Sequence, residues 1–343
     1  MKIKILESQQ ESLWDEYVRG HDGGTFFHQI AWKNLIHTVY HQRFKPFYLT
    51  AVDRGRIRGI LPVWLCSTGT GGKKMISIPF AGVGGPCADS EPVKTALVGH
   101  AVEIMRMQNA SVMELRNLSP LPGDFYTQTG YTTQILLLDK NPEKVWKSFR
   151  ADIRQRINSA EKNKIRVAVG QEGFETFYRI YGLGQRNLGT PIQRREWLKH
   201  LYFDFPDNHM IGVAYYHGKP VSVQFIRKFK ETMTSVFSYN IPKYKNLYPN
   251  HMILWECIRA ACADGMRYFD FGRSYIGSGV FGFKRGWGAE PQQYYYQFYR
   301  TGEQRITDTG QANPAREKFA NIWKRLPVCM ANRLGPVIRD RFP

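Results

Sequence analysis

Met210-Ile211-Gly212-Val213-Ala214-Tyr215-Tyr216-His217-Gly218-Lys219-Pro220-Val221-Ser222-Val223-Gln224-Phe225-Ile226 reads as a β-hairpin. Apolar residues alternate on both sides of His217-Gly218, and glycine supplies the positive φ that a two-residue turn requires. The segment from Tyr48 to Leu65 repeats this grammar around Arg54-Gly55. Ala51 matches Ala214 and Gly55 matches Gly218, each pair 163 residues apart. Outward from each hairpin the order is the same. A third strand follows (Met75 to Pro79; Met233 to Phe237), then a helix (Pro92 to Gln108; Pro249 to Asp264), then a short strand (Val112 to Leu115; Arg267 to Phe271). Four elements recurring at a nearly fixed offset predict a duplicated α+β unit with mixed sheets flanked by helices.

The whole chain has room for two such units. Its 343 residues correspond to two domains at roughly 150 residues each. A hydrophobic content of 43% with 8 Trp, 19 Tyr and 21 Phe supplies their cores and excludes a disordered chain. The division expected is residues 1–140, 141–303 and a basic tail, 304–343, with one helix from Asn313 to Arg325. Apolar runs such as Ile135 to Leu138 and Met252 to Trp255 fall far short of the roughly 20 residues of a membrane span. Met1 to Glu11 lacks the apolar stretch of a signal peptide, and five cysteines without a Cys-x-x-Cys suit a reducing compartment. The expectation is a cytoplasmic protein without an integral membrane segment, with peripheral contact at the inner membrane face left open.

Charge needs a partner. Lys plus Arg (48) exceed Asp plus Glu (29) by 19, which favours nucleic acid, an anionic membrane surface or a phosphorylated substrate. Nine of the bases fall between Lys140 and Arg166, against three acids, on what reads as a helix beginning near Pro142. Arg150, Arg154, Arg156, Lys162 and Lys164 there either contact phosphates, of tRNA for example, or form a solvated face.

The densest chemistry lies from Phe269 to Gly288, where a strand end runs into a glycine-rich connection holding Asp270, Arg273, Ser274, Tyr275, Gly277, Ser278, Gly279, Phe283, Lys284, Arg285 and Trp287. Glycines let a ligand approach the backbone, and the cations suit an anionic one. Lys284, between Phe283 and Trp287, either steadies a developing oxyanion or a phosphate, or is a solvated lysine with its stem along aromatics. Asp270 is either a base for an amine or an ion-pair partner.

Other chemistries find no support. Gly277-x-Gly279-x-x-Gly282 has the spacing of a dinucleotide fingerprint but no βαβ unit follows it. There is no P-loop and no Gly-x-Ser-x-Gly elbow. His37 and His41 stand four apart without further ligands, so no metal is expected, and Cys257 and Cys262 read as core fillers.

Six stretches in order resemble the FemAB-like branch of the GNAT acyltransferase superfamily, particularly the FemAB-related proteins of PEP-CTERM/exosortase and exopolysaccharide gene clusters. They are Phe26 to Trp32; Gly59-Ile60-Leu61-Pro62-Val63; Ser77-Ile78-Pro79-Phe80 with Gly84-Gly85-Pro86; Leu188-Gly189-Thr190-Pro191; Phe269 to Ser274; and Gly279-x-x-x-Phe283-Lys284-x-x-Trp287-Gly288. The resemblance implies two tandem GNAT-like domains of the acyl-CoA N-acyltransferase fold. It implies transfer of an aminoacyl group from aminoacyl-tRNA to an amine of a peptidoglycan precursor, with Phe283 and Lys284 handling the acceptor end of the tRNA and the transferred carbonyl. Two departures from the family stand out: the long helical arm of some members is missing, and Arg186 to Pro191, the nearest approach to a GNAT pyrophosphate loop, ends in proline.

The function expected is therefore an acyl or aminoacyl transferase that forms an amide on a phosphorylated or lipid-linked sugar or peptide precursor of the cell envelope. Its donor would be aminoacyl-tRNA or acyl-CoA, with no permanently bound cofactor. The alternatives are an acetyl-CoA-dependent N-acetyltransferase and a non-catalytic protein binding tRNA or a membrane surface.

Overall fold

The computed structural model describes residues 1–40, 43–67, 72–171, 173–205, 208–302 and 314–340. Both hairpins form. Phe44–Asp53 pairs with Arg56–Ser67, and His209–Tyr216 pairs with Lys219–Phe229. Their turns have positive φ at both central residues (Arg54 49°, Gly55 77°; His217 46°, Gly218 72°), as a type I′ link demands.

The chain divides into two compact units, one holding Met1–Tyr131 and the strand Tyr295–Arg300, the other Thr132–Gln292 and the C-terminal helices. The first sheet runs, in spatial order, Lys2–Ile5, Phe44–Asp53, Arg56–Ser67, Lys73–Ile76, Val112–Asn117, Tyr295–Arg300, Tyr126–Gln128. The second runs Ser274–Tyr275, Tyr131–Leu137, Tyr268–Asp270, Thr232–Asn240, Lys219–Phe229, His209–Tyr216, Arg166–Gly170. Each sheet carries a parallel pair, Lys73–Ile76 with Val112–Asn117 and Thr232–Asn240 with Tyr268–Asp270. A helix joins each pair, Glu91–Met107 and Pro249–Ala263, because parallel strands need a crossover. The duplicated α+β unit is thus present in both halves. An antiparallel strand closes each parallel pair: Tyr295–Arg300 in the first unit and Tyr131–Leu137 in the second.

Each unit buries its own core. Leu49, Leu61, Val63, Met75, Leu97 and Met113 centre the first, and Phe149, Leu254, Ile258, Phe269 and Trp287 the second. Fully burying one such side chain stabilises by roughly 1.5–3 kcal/mol. Cys257 and Cys262 lie in the second core as free thiols, and burial pushes both thiols up in pKa.

Three expectations need correction. The basic segment is two helices, Pro142–Ser148 and Ala151–Lys162, followed by the strand Arg166–Gly170. Phe149 and Arg150 are extended at the joint because Phe149 inserts against Trp255 and Trp287, and the Arg150 N–H donates to the Gly286 carbonyl at 3.1 Å. The tail holds a second helix, Val328–Arg339, after Pro314–Trp323. It packs on the second unit, where Asp340 accepts from Arg194 Nε at 2.7 Å and Asn332 fills the space above Gly182. The glycine-rich connection is not all loop: Gly279–Arg285 is a short helix capped by Ser278, whose hydroxyl accepts from the Phe281 N–H at 3.2 Å. His37 lies on the helix Ile30–Tyr40, while His41 lies outside the described residues.

Candidate active site at the end of the parallel pair

In the second unit the parallel ladder is short. Thr232 pairs with Tyr268, Met233 with Phe269 and Thr234 with Asp270, where the ladder stops although the longer strand continues to Asn240. On its other side that strand bulges, since Phe225 faces Phe237 and Ile226 faces Ser235. A bulge re-aims a strand, so the sheet changes course at the residue where Asp270 ends its partner.

Phe269 and Phe271 alternate into the core, which leaves Asp270 on the opposite face. The Asp270 carboxylate accepts from the Gly272 N–H at 2.7 Å and from the Thr133 hydroxyl. Burial dominates and pushes its pKa up, against these hydrogen bonds and the positive charges of Arg227 and Lys284. Gly272 has φ +74°, and a Cβ there would lie 2.6 Å from the Ser235 carbonyl oxygen. Only glycine fits.

Lys284 comes to the same place from the short helix. It is 8% exposed, and its Nζ donates to the carbonyls of Gly272 at 2.6 Å and Arg273 at 3.2 Å. Burial lowers its pKa to about 8, and the nearby Arg273 charge acts in the same direction while Asp270 opposes both. The Gly272 peptide therefore joins the two groups, its N–H on the carboxylate and its C=O under the ammonium.

The other expected residues divide by burial. Arg273, Tyr275, Gly277, Gly279 and Arg285 are exposed, Ser278 caps the helix, and a Cβ at Gly277, Gly279 or Gly282 would meet nothing within 4 Å. Ser274 and Trp287 turn inward. The Ser274 hydroxyl donates to Gln134 Oε1 at 3.2 Å, and Trp287 is wholly buried between Phe149, Phe271, His251 and Phe283. Phe283 is half-buried and meets His251 edge-on. Of the basic set, Arg150 and Arg156 both pair with Asp152, and Arg154 donates to the Phe149 carbonyl. Lys162 and Lys164 stay exposed.

Sequence reading missed Thr133, Gln134 and His251. Gln134 is fully buried and knits the segment together, its backbone carbonyl accepting from Phe271 at 2.9 Å and its amide donating to the Phe281 carbonyl at 3.4 Å. The polar pair Thr133-Gln134 opening an apolar strand was the available signal. Burial lowers the His251 pKa to about 4, so this ring is neutral at ordinary pH.

Residues 147–285 match the family described as Acetyltransferase (GNAT) domain. No curated protein matches the chain significantly. Among solved structures, FemX superposes with a TM-score of 0.69 at 13% identity, covering 86% of this chain and 97% of that one. The C-terminal domain of a putative lysylphosphatidylglycerol synthetase from Agrobacterium fabrum gives 0.56 at 12%, covering 85% and 92%. A tandem GNAT protein from the clavulanic acid biosynthesis pathway gives 0.55 at 10%, covering 89% and 99%. With a GNAT domain matched at residues 147–285 and a duplicated sheet that superposes on FemX over most of both chains, this protein has a tandem GNAT-like fold.

Proposed function

We propose that this GNAT-fold protein transfers an acyl or aminoacyl group from an ester donor of the aminoacyl-tRNA type to an amine on a cell-envelope polysaccharide or peptidoglycan precursor, forming an amide. The observation that carries the reading is the Gly272 peptide held between Asp270 and Lys284 at the end of the parallel pair. A carboxylate raised in pKa by burial is a stronger base for deprotonating the acceptor ammonium, and a desolvated lysine stabilises charge on the carbonyl oxygen more strongly than it would in water. The acceptor amine loses its proton to Asp270 and attacks the donor carbonyl. The C–N bond forms, the ester C–O bond breaks, and the leaving alkoxide takes the proton that the nitrogen sheds as it becomes the amide.

The state of residues 186–191 supports an ester donor over acyl-CoA. Gly189, with φ +76°, caps the helix Phe174–Leu188, and the N–H groups of Gly189 and Thr190 are spent on the carbonyls of Arg186 and Gln185. They are not displayed to a pyrophosphate. Tyr275, Gly277, Gly279 and Arg285 form the exposed surface on which the donor would lie, and Lys162 and Lys164 are the bases left for the tRNA backbone. Incubation with labelled aminoacyl-tRNA, labelled acetyl-CoA and a mixture of envelope precursors tests the proposal. Label from aminoacyl-tRNA is expected in an amide product. Label from acetyl-CoA alone would overturn the donor, and no transfer from either would favour a binding protein.

A further inference from the structure

The first unit contains a separate constellation. Two of the stretches quoted above, Phe26 to Trp32 and Gly84-Gly85-Pro86, meet there. The Thr25 N–H donates to His28 Nδ1 at 3.1 Å, which fixes the His28 proton on Nε2, and that N–H donates to the Gly85 carbonyl at 2.8 Å. The N–H groups of Gly84 and Gly85 both donate to the Arg116 carbonyl, and Asn117 Oδ1 lies 1.8 Å from where a Gly85 Cβ would stand. This clamp fixes the course of the chain into Cys87.

Cys87 is 2% exposed, and its Sγ lies 3.1 Å from His21 Nδ1. The Gly23 N–H also donates to His21 Nδ1, at 3.0 Å, so that nitrogen carries the lone pair and the ring proton sits on Nε2. Nε2 faces Asp89 Oδ1 at 3.9 Å, and Tyr17, whose hydroxyl donates to the same carboxylate oxygen at 2.7 Å, stacks on the His21 ring with centroids 5.3 Å apart. Thiol and imidazole are thus placed as nucleophile and base, with the Asp89 carboxylate beyond hydrogen-bond reach but near enough to offset charge on the ring. His21, Cys87 and Asn117 line one cavity of about 200 Å³ in this unit, roughly the liquid volume of seven waters and the size for a small acyl group. Asn117 is 5% exposed. Its Nδ2 donates to Gln297 Oε1 at 3.0 Å, and its Oδ1 packs against Gly85, so this wall of the cavity is held rigidly.

We propose that Cys87 is an acyl-accepting nucleophile, activated by His21 with Asp89 as a nearby countercharge, in a site of the first unit distinct from Lys284. The thiol proton passes to His21 Nδ1, which releases the Gly23 N–H as it is protonated, and the thiolate attacks the carbonyl of a small activated ester. The C–S bond forms and the ester C–O bond breaks. The leaving alcohol takes the proton from His21, which leaves an S-acyl Cys87 that water or an amine can discharge. The proposal does not rest on the reading of Lys284, because the covalent step needs no acceptor.

The probe is p-nitrophenyl acetate, added to the full chain without acceptor and followed by p-nitrophenol release and peptide mapping. The exposed Cys329 serves as internal control. One acetyl group per chain is expected on Cys87, installed more than about tenfold faster than on Cys329 although Cys87 is buried. Cys87→Ser should abolish that adduct. His21→Ala should slow it by about 10²–10⁴, the contribution of a positioned general base. Equal or faster labelling of Cys329 in the wild-type chain would overturn the proposal without recourse to any variant. So would an unchanged Cys87 rate in a His21→Ala chain with native thermal melting.

Discussion

Lys284 Nζ donates to the Gly272 carbonyl oxygen at 2.6 Å, and through that one peptide it is coupled to the Asp270 carboxylate, which accepts the Gly272 N–H at 2.7 Å. The amide group polarises toward both charges. A change in the protonation of one group is felt by the other, and several outcomes follow from the arrangement.

Replacing Lys284 by Ala should reduce transfer by more than about tenfold, less than the 10²–10³ attributed to a lost oxyanion donor in a fully formed hole. Circular dichroism should show the fold intact. Turnover equal to wild type would remove Lys284 from the mechanism.

Burial holds the Lys284 ammonium at a pKa of about 8, below the 10.5 of an unfolded lysine. Between those values the unfolded chain binds the proton and the folded chain does not, so stability rises with pH across this window. Relative to Lys284→Met, whose neutral side chain has no such term, the wild type should gain up to about 3 kcal/mol from pH 8 to pH 10.5. Urea unfolding of both chains over that range reads the difference in slope.

Asp270 titrates above the ordinary carboxylate range because burial dominates its environment. As the base, it should set the acid limb of the rate profile there, with the rate rising as pH increases through its pKa. Asp270→Asn should remove that limb and lower turnover by about 10²–10⁴. An acid limb that survives in Asp270→Asn belongs to another group.

Gly272→Ala puts a methyl group against the Ser235 carbonyl at a φ of +74°. A non-glycine residue held in such a region costs about 1–3 kcal/mol before the clash is counted. The melting temperature should fall, and transfer should fall further than stability explains, because both polar partners of the peptide move.

His251 is held neutral with a pKa of about 4 against 6.5 unfolded, first by burial and then by the charge of Arg156. The unfolded state binds more protons between pH 6.5 and 4, so stability is lost as pH falls through that window, by up to about 3 kcal/mol. His251→Phe keeps a ring against Trp287 and should flatten this part of the acid denaturation curve. An unchanged curve would assign the acid loss to other groups, His209 among them, whose pKa burial lowers to about 3.

The sequence by itself determined the duplicated unit. Alternation about Arg54-Gly55 and His217-Gly218 is local information, since a period of two and a turn glycine specify a hairpin wherever it sits. The crossover helices and the density of chemistry around Lys284 were legible for the same reason. Tertiary structure decided what depends on partners distant in sequence. Nothing local says that Tyr295–Arg300 closes the first sheet and Tyr131–Leu137 the second, because strand pairing is chosen by packing. The basic run broke at Phe149 because the second core took that ring. Trp287 and Ser274 turned inward while Lys284 reached back to a carbonyl twelve residues away, and His21 met Cys87 across 66 residues. Burial, which a linear pattern cannot measure, set the protonation of Asp270, Lys284 and His251.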